Sequence, residues 1–173
     1  MGKGTRMHQC SKAIVAAIAF IWTQTPILAA PALPKDQQDF CALVDRIRIA
    51  ATGPGAAHAL PAARTEIETF IVQHRGIDWF GAAGRVVISE KNKAGSEVEA
   101  CPAVWVGGVS PEGGLDSDTW AEPETHLYNV LREVTQGKSV EFRAALLGVY
   151  DARPDFPAKI WVRARIVDLS PQP

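Results

Sequence analysis

The spacing of hydrophobic positions changes period near residue 76. Before it, Phe40, Leu43, Val44 and Ile47 recur at i, i+3, i+4, i+7, the buried face of a helix that Asp36 stands ready to cap. Ala51 to Pro61, with Gly53-Pro54-Gly55, reads as a loop. A second helix starts near Pro61, carries Ile67, Phe70 and Ile71 on its apolar stripe, and ends at Gly76. From Ile77 the period is two: Phe80, Ala82, Gly84, Val86 and Ile88 alternate with Gly81, Ala83, Arg85 and Val87. Lys91 to Ser96 is a polar turn, and a second strand runs from Glu97 toward Cys101, where Pro102 marks an edge or bulge. Ala103 to Val106 forms a third strand or the second's continuation, and Gly107 to Trp120 is a glycine-rich acidic loop. Pro123 opens a helix with the face Leu127, Val130, Leu131 and Val134, closed by Gly137. Two further strands follow, one inward through Val140, Phe142, Ala144 and Leu146, the other through Ile160, Val162, Ala164 and Ile166.

The first 32 residues have a different character. Lys3, Arg6 and Lys12 precede the apolar run Ala13 to Trp22, and Ala30-Pro31-Ala32 is a small-x-small cleavage site, the pattern of an export signal. The apolar stretch to Leu33 is also long enough to span a bilayer, but Thr23-Gln24-Thr25-Pro26 interrupts it, which favours cleavage over a retained anchor. Cys10 lies ahead of the apolar run, where a lipidated cysteine would follow it. Without Lys3, Arg6 and Lys12 the 18 basic residues fall to 15 against 19 acidic ones, a net charge of −4. That balance opposes non-specific binding to phosphate backbones. Cys41 and Cys101 are then the remaining thiols. In an oxidising compartment they are expected to pair across a loop of about sixty residues; two separately buried thiols are the alternative.

The order strand, strand, strand, helix, strand, strand is that of a five-stranded Greek-key barrel with a helix between its third and fourth strands. Asp78-Trp79-Phe80-Gly81 with Gly84-x-Val86, then His126-Leu127-Tyr128 leading to Gly137-Lys138-Ser139-Val140-Glu141-Phe142, resembles small exported bacterial domains of the OB-fold superfamily. The resemblance covers residues 77–169, implies an α+β fold with an OB-like barrel, and carries no catalytic residues. The chain then divides into a signal peptide (1–32), a helical segment (33–76), the barrel (77–169) and a tail (170–173).

Several motifs fail on inspection. Gly137-Lys138-Ser139 lacks the upstream glycine of a phosphate loop, since position 132 is Arg132, and Gly53-Pro54-Gly55 has His58 where a dinucleotide fingerprint needs glycine. His58, His74 and His126 have no metal-ligand spacing, and no CxxC occurs. Glu112, Asp116, Asp118, Glu122 and Glu124 gather five carboxylates in 13 residues, but Trp120 breaks the alternation that a calcium loop needs. No cofactor or metal is expected.

OB-like barrels bind through strands two and three and the loops joining strands one to two and four to five. Those loops carry Lys91 and Lys93, and Tyr150, Arg153 and Phe156, a rim suited to an anionic small ligand or a partner protein. On the outer face Trp161, Arg163, Arg165 and Arg143 form an aromatic-basic stripe, partly neutralised by Glu141, which is either a further binding surface or a face for the two leading helices to cover. The expectation is a periplasmic or secreted, non-enzymatic binding or assembly module. The alternatives are a small exported hydrolase using loop 112–124, and a single-stranded nucleic-acid-binding domain.

Overall fold

The computed structural model describes residues 32–52, 56–150 and 156–173. The export signal, the Gly53-Pro54-Gly55 turn, the side chain of His58 and the whole of Arg153 lie outside them. Five strands close into a mixed barrel in the order β1-β2-β3-β5-β4, with three helices, an α+β arrangement. The strands are β1 (Gly76–Ile88), β2 (Ala94–Cys101), β3 (Val104–Gly107), β4 (Ser139–Val149) and β5 (Ile160–Pro171), and the helices are α1 (Lys35–Ala51), α2 (Ala56–Gln73) and α3 (His126–Glu133). All neighbours are antiparallel except β3 and β5.

α1 buries the expected Phe40, Leu43, Val44 and Ile47, and also Gln37. Asp36 is not its cap. Pro34 holds that position, and the Asp36 carboxylate, one residue into the helix, accepts the indole N–H of Trp79 at 2.8 Å. α2 begins five residues before Pro61, which sits inside it; the helix tolerates one missing N–H because its face of Ala63, Ile67, Phe70 and Ile71 is buried. Phe40 packs on Phe70 and Trp79, with ring centroids 4.9 and 5.3 Å apart, and joins the helical pair to the barrel core.

β1 serves two neighbours. Its first part pairs with β4 from Gly76 opposite Ala145 to Ala82 opposite Ser139, its second with β2 from Ala82 opposite Glu99 to Ile88 opposite Ala94, and a bulge at Ala83/Val86 interrupts the second pairing. The buried residues of the first part are therefore Ile77, Trp79 and Ala83, the opposite parity to that expected from Phe80 onward. Glycines permit the close crossing: a Cβ on Gly81 would stand 2.7 Å from the Glu99 carbonyl oxygen, and one on Gly84 2.9 Å from that of Glu97. β4 and β5 follow their alternation as read, with Val167 an extra residue where the register shifts, and β5 runs on to pair Pro171 with Val140.

Where β1 and β2 separate beyond Ala82 and Glu99, Gln37 fills the gap. Its amide nitrogen donates to the carbonyls of Phe80 and Ala100, and its amide oxygen accepts the Phe80 N–H at 3.0 Å, all with the side chain at 0% exposure. One turn on, Cys41 lies at disulfide distance from Cys101 at the end of β2, with Cα atoms 5.8 Å apart. Among the described residues no helix is long and apolar enough to cross a membrane.

Replacing Gln37 with leucine keeps the volume and strands three buried backbone groups, so it should cost about 3 kcal/mol in urea unfolding, whereas Gln38→Ala on the exposed side should cost almost nothing. Non-reducing peptide mapping should recover Cys41 and Cys101 as one linked species, and replacing both with alanine should lower stability by about 2–4 kcal/mol.

Candidate functional site

The segment from Gly108 to Ala121 is strapped to the barrel's outer side. Val109 bridges to Leu115, Ala121 bridges back to Ala94, and the buried Thr119 hydroxyl donates to the Gly108 carbonyl at 3.1 Å. Asp116 and Asp118 of this segment are both engaged by arginines. Asp116 accepts Arg163 through Nε and, at 2.9 Å, through Nη2, and takes the Tyr150 hydroxyl at 3.3 Å. Asp118 accepts Arg163 Nη2 at 3.4 Å, while its backbone carbonyl accepts Arg165 Nε at 2.6 Å. At the near end, Arg85 donates to the Ser110 carbonyl at 3.0 Å and faces Glu97 at 3.5 Å.

These contacts set the titrations. Hydrogen bonding from Arg163 holds Asp116 below the usual carboxylate value, against the desolvation that opposes it. Burial, and then the Asp116 charge, pushes the Tyr150 phenol up, so it remains a donor. Burial also pushes Glu97 up, with Arg85 pulling in the other sense. Among the described residues no group of three metal-ligating side chains comes together. His74 stacks on Phe70 with centroids 4.1 Å apart and bonds the Phe70 carbonyl through Nδ1, a packing role.

The five rim residues do not all share one place. Lys91 and Lys93 line a cleft of about 740 Å³ between the β1–β2 turn and the strapped loop, with Ile88, Leu115 and Trp120. Lys93 lies 4.0 Å over the Trp120 ring and 3.0 Å from Glu122, whose carboxyl this contact draws down. Tyr150 is tied to Asp116, and Phe156 lines a separate cavity of about 530 Å³ with Arg48 and Pro102. The cleft and that cavity have no lining residue in common.

In the stripe of Trp161, Arg163 and Arg165, the two arginines bond the strapped loop, Arg165 remaining exposed; Arg143 pairs with Asp168 at 3.3 Å. The remaining part of that face holds a feature absent from the expected rim. Trp105 and Trp161 are paired in register on the parallel strands β3 and β5, and their indoles stack at 5.1 Å with planes 19° apart. Each is half-buried and flanked by buried residues, Val104 and Val106 in one strand, Ile160 and Val162 in the other, so both project outward. A continuous row crosses the sheet here: Ala82 opposite Glu99, Glu99 opposite Trp105, Trp105 opposite Trp161, and the Tyr150 N–H on the Trp161 carbonyl. The signal was in the sequence, as the parallel triplets Val104-Trp105-Val106 and Ile160-Trp161-Val162, but only the β3–β5 register brings them together.

No protein-family model, curated protein or solved structure matches the chain.

Because the folded state holds the Asp116 carboxyl below its ordinary value, the ion pair contributes stability above about pH 4 and loses it as pH falls through the folded value. Asp116→Asn should therefore cost about 1 kcal/mol near neutral pH and flatten the acid limb of the unfolding curve, measured by urea titration at a series of pH values.

Proposed function

We propose that this chain is an exported, non-enzymatic binding or assembly module built on an OB-like barrel. The strand order 1-2-3-5-4, the parallel β3–β5 pair and the position of α3 between β3 and β4 support the OB-like reading. The basic-apolar-small pattern of residues 1–32 and the Cys41–Cys101 pair support a periplasmic or secreted location. The observation that carries the binding role is the Trp105–Trp161 stack. Two half-buried indoles stacked on neighbouring strands of the outer face offer contact area at low entropy cost. Tyr150 borders this face, and Lys91 and Lys93 line the cleft against the strapped loop, Lys93 already paired with Glu122. Phe156, at its separate cavity, and Arg153, outside the described residues, complete the rim expected from the sequence.

The hydrolase alternative is weakened by the use of Asp116, Asp118 and Glu122 in ion pairs with Arg163 and Lys93. The nucleic-acid alternative is weakened because Arg163, the cation nearest the tryptophans on β5, is already neutralised.

A photo-crosslinking residue at position 105, in cells that express the full chain, should trap a discrete partner, and one at Leu147, on the exposed face of β4, should not. Equal trapping at both positions, or none at 105, would remove the binding face. N-terminal sequencing of the exported fraction should begin near Leu33.

A further inference from the structure

The row across the outer face has aromatic rings and hydrogen-bond acceptors but no basic side chain. Its members are Ala82, Glu99, Trp105, Trp161 and Tyr150. Trp105 uses one indole face against Trp161, and the opposite face lies on the β2 side, where Glu99 stands directly across. Glu99 is held in place through Oε1, which accepts the Ala103 N–H at 2.8 Å; Oε2 accepts no hydrogen bond among the described residues. The next acidic groups along this side are Asp116 and Asp118, the latter with its side chain 60% exposed.

An indole face beside a fixed carboxylate is a receptor for a cationic side chain: the ring quadrupole attracts the charge and the carboxylate takes its hydrogen bonds. The molecule already uses this pairing on itself. Lys93 lies over Trp120 at 4.0 Å while Glu122 takes its ammonium at 3.0 Å. Trp105 with Glu99 across from it offers the same two components, with no cation on them among the described residues. We infer that the partner of this face is a basic protein segment, which sets a lysine or arginine side chain over the Trp105 indole with its charge on Glu99. The inference rests on the binding-face reading above and supplies the partner's chemistry. It accords with the net charge of −4 left once residues 1–32 are removed, and that acidity would steer a basic segment toward the protein.

The test uses the chain lacking residues 1–32 and a short fluorescent arginine-glycine repeat peptide followed by anisotropy. An oligothymidylate and a chitin oligosaccharide of similar length serve as competing probes. Saturable peptide binding is expected, weakening as salt rises, with Trp105→Ala lowering affinity about tenfold and Glu99→Gln about threefold. Glu99→Gln is the decisive variant, because its amide oxygen can still accept the Ala103 N–H while the charge is gone, and its thermal unfolding should match the parent's. Peptide affinity unchanged in both variants would overturn the inference. So would the oligothymidylate or the oligosaccharide binding in a Trp105-dependent way while the peptide does not; that result would leave the binding face intact and change only its ligand. No Trp105-dependent binding by any of the three probes would overturn the basic-partner inference, and crosslinking at position 105 would then decide the face separately.

Discussion

The amide of Gln37 is the contact on which the barrel depends. A five-stranded barrel closes only if one strand turns from one neighbour to another, and here β1 does so between β4 and β2. At the crossing the backbone of Phe80 and the carbonyl of Ala100 lose a strand partner while remaining inside the protein. Leaving them bare would cost several kcal/mol, comparable to a good part of a domain's net stability. A glutamine amide has a donor group and an acceptor on one plane, so it can take the place of the missing strand. It works only while α1 is fixed in place. Asp36 on Trp79, Phe40 against Phe70 and Trp79, and Cys41 on Cys101 hold the same two turns of helix down.

Legibility in the sequence followed how many neighbours each element has to satisfy. β4 and β5 have one buried face along most of their length, and their alternation was readable residue by residue. β1 was not. Gly81, Ala82 and Gly84 carry almost no hydrophobic signal, the bulge at Ala83/Val86 reverses the parity, and Trp79 looked like a strand opening where it is a core anchor. Pro61 misplaced the start of α2 because the burial of Ile67, Phe70 and Ile71 outweighs a single lost hydrogen bond. Gln37 was invisible, since a polar residue on an apolar helix face declares itself only when the backbone groups it serves are known.

The charged residues show the same dependence on tertiary context. The acidic loop and the arginine stripe were visible as two separate features. They are partners: Arg163 grips Asp116 in a two-point ion pair, and Arg165 takes the Asp118 backbone. The charges of Arg163 and Asp116 cancel, while Arg165, bonded to a backbone carbonyl, keeps its charge and stays exposed. Trp161 is two residues from Arg163 on the same face of β5, and Lys91 lines the cleft.

The tryptophan pair inherits its register from the same place as the barrel. β3 has only four residues, too few to hold an alignment by ladder bonds alone, and a slip of one position would turn Trp105 into the core and Val104 or Val106 outward. Its start is fixed by the Pro102-Ala103 turn. Ala103 adopts φ 59°, gives its N–H to Glu99, and its carbonyl takes the N–H of Ile160 at 3.1 Å, the contact from which the parallel ladder to β5 runs. That turn follows Cys101, which α1 holds through Cys41, and Arg48 of the same helix bonds the Pro102 carbonyl. Docking of α1 thus aligns Trp105 with Trp161 and sets Glu99 across from them. α1 is a structural support of the face that carries Trp105 and Trp161.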